Sequence, residues 1–138
     1  MKQQARGWLA VAMLGLLPSP AFAQSAAHSP SEPTLSGGRN FTETTGEALF
    51  ANVCRGCHMA DGAGAVGAGT YPSLVRNGNL LSPGYPLTVV VNGQRAMPPV
   101  GAMMSDDQVA AVVNYLRTHF GNDYPDAVGA ADIKAVRP

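Results

Sequence analysis

Residues 51–62 read ANVCRGCHMADG and hold both cysteines of the 138-residue chain, Cys54 and Cys57, with His58 directly after the second. Three chemistries use such a stretch: a redox dithiol, half of a zinc site, or the covalent anchor of a haem. A redox C-x-x-C sits near a βαβ pattern, and no convincing sheet is written around this one. Zinc takes four nitrogen or sulfur ligands, or three and a water. Beyond Cys54, Cys57 and His58 the chain offers only His28 and His119, both poorly placed. Haem attachment asks for what these residues supply in sequence, because each thiol can add to one vinyl group while the adjacent imidazole ligates the iron. The residues themselves favour haem.

The rest of the chain suits that reading. With 46% hydrophobic and 13% charged residues it has the composition of one globular domain. Residues 1–23 have the form of a secretory leader: Lys2 and Arg6, the apolar run WLAVAMLGLL, and AFA ending at Ala23. The run is shorter than the roughly 20 residues that span a bilayer. Removing the leader takes away Lys2 and Arg6 and no acid, leaving seven basic residues against nine acidic, which argues against a nucleic-acid partner. In an oxidising compartment two cysteines need an occupation. Residues 24–40, QSAAHSPSEPTLSGGRN, read as a flexible linker in which His28 is a solvated side chain. The folded domain is expected over 41–122, with 123–138 as a C-terminal extension.

Helix signals bracket that domain. Thr44 and Glu47 have capping-box spacing, with Phe41 as a staple, and Leu49, Phe50 and Val53 predict an apolar face running into the cysteines. Near the other end Ser105 and Gln108 form a second capping box, and Val109, Val112, Val113, Leu116 and Phe120 recur at three and four before Gly121. About fifty residues of Gly, Pro and short apolar pieces lie between, more than a compact domain leaves unorganised. Wrapping a porphyrin would organise them, and covalent haem would staple so small a core. Within them SPGYPLTVVVNG is a strand by its three valines or a short helix by its Ser-Pro start and Asn-Gly stop. The GxGxxG of Gly62, Gly64 and Gly67 follows a helix and has no strand before it, so it reads as a turning loop that permits close approach, not as a nucleotide fingerprint.

A second axial ligand must come from across the porphyrin. Met59 is too near His58 in sequence. Met97 precedes Pro98 and Pro99, which stiffen its loop, and is the leading candidate. Met103, Met104, His119 and an open position remain as alternatives.

Over roughly residues 42–121 the chain resembles the class I c-type cytochromes. The residues that carry the resemblance are GEALFANVCRGCH, YPSL, VVVNGQRAMPP and MSDDQVAAVVNYLR. It implies an all-α fold, a small cytochrome c fold of helices and loops wrapped around one covalent haem c. It also implies that Gly46 and Phe50 meet Tyr115 where the first and last helices cross. The Pro72 carbonyl would engage the free nitrogen of His58, Leu74 would press on the porphyrin, and Val89–Val91 would be helical. The expected binding residues are therefore Cys54, Cys57, His58, Pro72, Leu74 and Met97, with His58 and Met97 on the metal. Family members often place a tryptophan or tyrosine near the propionates; the chain's one tryptophan is Trp8, and Tyr71, Tyr85 and Arg95 are unranked substitutes. The segment 123–138 resembles tails of cytochromes that serve exported dehydrogenases, and is expected to add to partner docking.

The function this implies is that of a periplasmic electron carrier and not a catalyst. It would accept electrons from an exported dehydrogenase and pass them to a respiratory cytochrome or oxidase. A haem enzyme or gas sensor with a labile sixth ligand is the alternative.

Overall fold

The computed structural model describes residues 40–67 and 69–138, so the leader expected over 1–23 and all but Asn40 of the linker expected over 24–40 lie outside the described residues. The element order is α1 (Gly46–Leu49), a π-helical turn (Phe50–Cys54), α2 (Arg55–His58), β1 (Ala65–Val66), β2 (Thr70–Tyr71), a 3-10 turn (Gly78–Leu80), α3 (Gly84–Asn92), a second 3-10 turn (Val100–Met103), α4 (Asp106–Thr118) and α5 (Ala130–Val136). Among the described residues the fold is helical apart from one antiparallel strand pair, in which Ala65 faces Tyr71 and Val66 faces Thr70.

The first helix opens one residue later than its sequence suggests. Thr45, not Thr44, caps it, its hydroxyl accepting from Ala48 N at 3.2 Å. Gln108 Nε2 donates to the carbonyls of Phe41 and Glu43 at 2.9 and 2.8 Å. Those bonds hold the chain outside the helix until Thr45, which overrides the Thr44–Glu47 spacing. Helix α1 then packs on α4. At Gly46 a side chain has no room, since an added Cβ would lie 2.2 Å from the Ala111 carbonyl oxygen and 2.5 Å from Tyr115 Cβ. The Phe50 ring stands 5.8 Å from Tyr115 and 4.7 Å from Phe120. Gly46→Ala is expected to prise α1 from α4 and cost about 1–3 kcal/mol, the usual range for overpacking, read as a lowered thermal unfolding midpoint.

Helix α4 has the expected capping box of Ser105 and Gln108 and buries Val109, Val112, Val113 and Leu116. It stops at Thr118, so Phe120 does not continue its face. Phe120 takes φ +56 and turns back into the aromatic crossing. The valine-rich stretch is helix α3, entered from Pro83 and ended by Gly93 at φ +74. Its buried face, Pro86, Leu87, Val90 and Val91, explains why helix wins over the strand preference of the valines.

The segment 123–138, expected as a C-terminal extension, packs against the core through part of its length. Val128 and Ile133 are buried with it, and α5 lies against α3 and α4. Arg117, fully buried, donates to the carbonyls of Leu80 and Leu81 and pairs with Asp126 Oδ1 at 2.6 Å. Asn114 clips Val128 through both backbone groups. These polar anchors carry no hydrophobic period, which is why the sequence pattern missed the segment's role.

Candidate functional site

The cysteines arrive on a distorted helix. Between α1 and α2 the ladder widens to a π turn, with Arg55 N bonding to the Phe50 carbonyl, a local distortion that recurs at functional sites. Neither thiol is in a disulfide; Cys54 is half-buried and Cys57 exposed. Burial, and then the charge of Cys57, push the Cys54 thiol up to about 12. Among the described residues no group of three or more His, Cys, Asp and Glu side chains is placed to hold a metal ion.

His58 ends α2 and is buried. Its Nδ1 lies 2.9 Å from the Pro72 carbonyl oxygen. A carbonyl can only accept, so Nδ1 bears the proton and Nε2 of the neutral ring keeps a free lone pair. Such an outer bond orients an imidazole and raises its basicity as a ligand.

The glycine loop makes this contact possible. Gly62 and Gly64 sit at φ +71 and +72, and Gly64 N donates to the His58 carbonyl at 3.0 Å. A Cβ on Gly64 would fall 2.2 Å from the Tyr71 carbonyl oxygen and 2.9 Å from that of Pro72. At Gly64 the close approach is thus made by the Tyr71–Pro72 backbone, whereas at Gly62 a Cβ would lie 2.8 Å from the Phe120 ring. Leu74, buried, donates its amide to the Gly62 carbonyl at 2.7 Å. Asn122, which sequence reading passed over, bonds from its amide to the carbonyls of Leu74, Leu116 and His119 and accepts from Asn77 N. It pins the loop carrying Pro72 and Leu74 to the end of α4.

Met97 sits in a loop between α3 and the second 3-10 turn. Gln94 and Met97 exchange both backbone hydrogen bonds, at 3.0 and 2.9 Å, and Pro98 and Pro99 follow. Only glycine fits at 93, at φ +74 with a Cβ position 2.8 Å from the Met97 carbonyl oxygen. The Met97 side chain is partly buried against the core, whereas Met104 is buried within it and Met103 is exposed. Of the unranked residues, Tyr85 donates its hydroxyl to Gln94 Oε1 at 2.9 Å and belongs to this loop's support, while Tyr71 and Arg95 are exposed.

This donor set fits a haem c. Two unbridged thiols stand one turn apart, the adjacent imidazole has one nitrogen fixed and the other free, and a thioether is held on a stiff loop. Large apolar side chains are also exposed on the loops that follow the motif, Val66 at 87% and Leu81 at 64%, with Tyr71 and Val75 between them. An apolar ring system is a suitable cover for such surface.

Helices crossing at Gly46 and a C-x-x-C-H turn backed by a proline carbonyl define a class I c-type cytochrome. The cytochrome C oxidase, cbb3-type, subunit III family matches residues 42–116, more than half of the chain, and the chain belongs to that family. It is 35% identical over 112 residues to the fructose dehydrogenase cytochrome subunit of Gluconobacter japonicus, covering 70% of this chain and 23% of that relative. It is 29% identical over 135 residues to the cytochrome c subunit of the quinone alcohol dehydrogenase of Gluconacetobacter polyoxogenes, covering 88% and 28%. The gluconate 2-dehydrogenase cytochrome c subunit of Pantoea cypripedii is 30% identical over 108 residues, covering 67% and 24%. The chain spans about a quarter of the length of these relatives. Membership in a cytochrome c family implies haem c and electron transfer.

Proposed function

We propose that this chain carries one haem c and is a periplasmic electron-transfer protein, taking electrons from an exported dehydrogenase and delivering them to a respiratory cytochrome or oxidase. The observation that carries the reading is the His58–Pro72 bond, which leaves one imidazole nitrogen free beside two unpaired thiols. When bound, haem c supplies a one-electron iron couple. Cys54 and Cys57 would hold it by thioether bonds, His58 Nε2 and the Met97 sulfur would be its iron ligands, the Pro72 carbonyl orients His58, and Leu74 would lend an apolar wall. With both ligands supplied by the protein, the iron would have no place for substrate or oxygen, and the role would be a carrier's.

The donor is assigned by likeness, since the relatives above are named as cytochrome subunits of sugar, sugar-acid and alcohol dehydrogenases. The compartment rests on the leader-like residues 1–23, and among the described residues no helix is long and apolar enough to cross a membrane. The test is a mass measurement on protein produced with its leader in a host that attaches haem. The expected mass is that of the chain from about Gln24 plus a single porphyrin, and a bare chain would overturn the reading. Reduced protein that binds carbon monoxide readily would replace the carrier with the sensor or enzyme alternative.

A further inference from the structure

The loop that bears Met97 leaves the body of the domain after α3 and rejoins it at α4. Both of its roots are held by adjacent residues of one segment. At the first root, Asn92 Nδ2 donates to the Val136 carbonyl at 3.2 Å. At the second, the Arg137 guanidinium donates to the carbonyls of Gly101 and Met104 at 3.1 and 2.8 Å. Its Nε also pairs with Asp106 Oδ1 at 2.7 Å. Gly101 and Met104 close the 3-10 turn that follows Pro98 and Pro99, through Met104 N to the Gly101 carbonyl at 3.2 Å.

That turn is itself seated tightly. A Cβ on Gly101 would lie 2.9 Å from the Val90 carbonyl oxygen and 2.9 Å from Val91 Cα, so the turn rests directly on α3. The seating fixes one side and Arg137 the other. Ile133, fully buried on α5, sets where Arg137 stands. Arg137 is only partly exposed and three of its nitrogens are engaged, so it is a planar fork matched to three acceptors and not a surface ion pair. Its position bears on the thioether, because the turn it holds begins three residues after Met97 and the proline pair between them transmits backbone position stiffly.

We propose that Arg137 is a positioning residue for Met97, and that Val136 and Arg137 together clamp the loop so that the sixth position stays closed. The proposal rests on Met97 being the axial ligand. Loss of the clamp lets the loop swing and the thioether leave the iron reversibly, while Cys54, Cys57 and His58 are untouched.

The experiment uses the full-length holoprotein with Arg137→Ala, Arg137→Lys, Asn92→Ala, Met97→Ala and, as a control on the exposed face of α5, Lys134→Ala. The ferric thioether-ligation band, the reduction potential and the rate of carbon monoxide binding to the reduced form are read on each. Arg137→Ala is expected to weaken the band, lower the potential and speed carbon monoxide binding at least tenfold. Asn92→Ala should do so to a lesser degree, Arg137→Lys should recover part of the loss, and Lys134→Ala should behave as the parent. Should Arg137→Ala not fold, Asn92→Ala and Arg137→Lys carry the comparison. If Met97→Ala abolishes the band while the Arg137 and Asn92 variants leave band, potential and rate unchanged, the clamp is wrong and the axial reading stands. If Met97→Ala itself keeps the band, the axial reading falls and the clamp with it.

Discussion

A chain shortened to end at Asp123 is expected to lose its cooperative fold, and with it the spectrum of a six-coordinate haem. The deletion removes Val128 and Ile133 from the core, each worth about 1.5–3 kcal/mol when fully buried. It also takes Asp126 from Arg117, whose side chain is fully buried at the end of α4 and would keep only the carbonyls of Leu80 and Leu81. Stripping the partner from a buried charge costs about 3–5 kcal/mol; Asp126 is itself 66% exposed, so the lower end applies. Domains of this size hold about 5–15 kcal/mol in total, and the combined loss reaches that range. Circular dichroism against temperature and the visible spectrum check it together. A shortened chain with an intact spectrum and weakened reduction by its dehydrogenase would restore the docking role that the sequence suggested for 123–138.

What could be read in the sequence was whatever leaves a period or a fixed spacing. The burial of one face of α4, its capping box and the C-x-x-C-H turn are local, and each is legible from residues within a turn or two. Helix α3 was ambiguous because three valines favour strand locally, and only burial of Pro86, Leu87, Val90 and Val91 decides for helix. The start of α1 slipped by one residue because Gln108, more than sixty positions away, governs where the chain may begin to coil. The π turn at Phe50–Cys54 and the left-handed Phe120 have no pattern of their own. Single polar side chains that tie distant backbone were the least legible: Asn122, Arg117 and Arg137 make most of their bonds to carbonyls, and a carbonyl has no residue identity to match.

Met97→Ala is expected to open the iron while the haem stays attached. Alanine removes the only sulfur in the loop that Gly93, Gln94 and the proline pair hold in place, and nothing else in that loop is a soft ligand. The ferric thioether band should vanish completely, the potential should fall with loss of the thioether, and carbon monoxide should bind the reduced iron to full occupancy. Haem should remain attached, because Cys54 and Cys57 lie outside the Met97 loop, at the end of the π turn and in α2. The two neighbouring methionines separate the axial role from packing. Met104 is buried at 6% exposure, so Met104→Ala should cost about 2–5 kcal/mol of stability with the band intact. Met103 is 40% exposed, and Met103→Ala should change stability by no more than about 0.5 kcal/mol. A Met97→Ala protein that keeps its thioether band would pass the ligand role to Met103 or Met104, and the variant at that position would then be the one to open the iron.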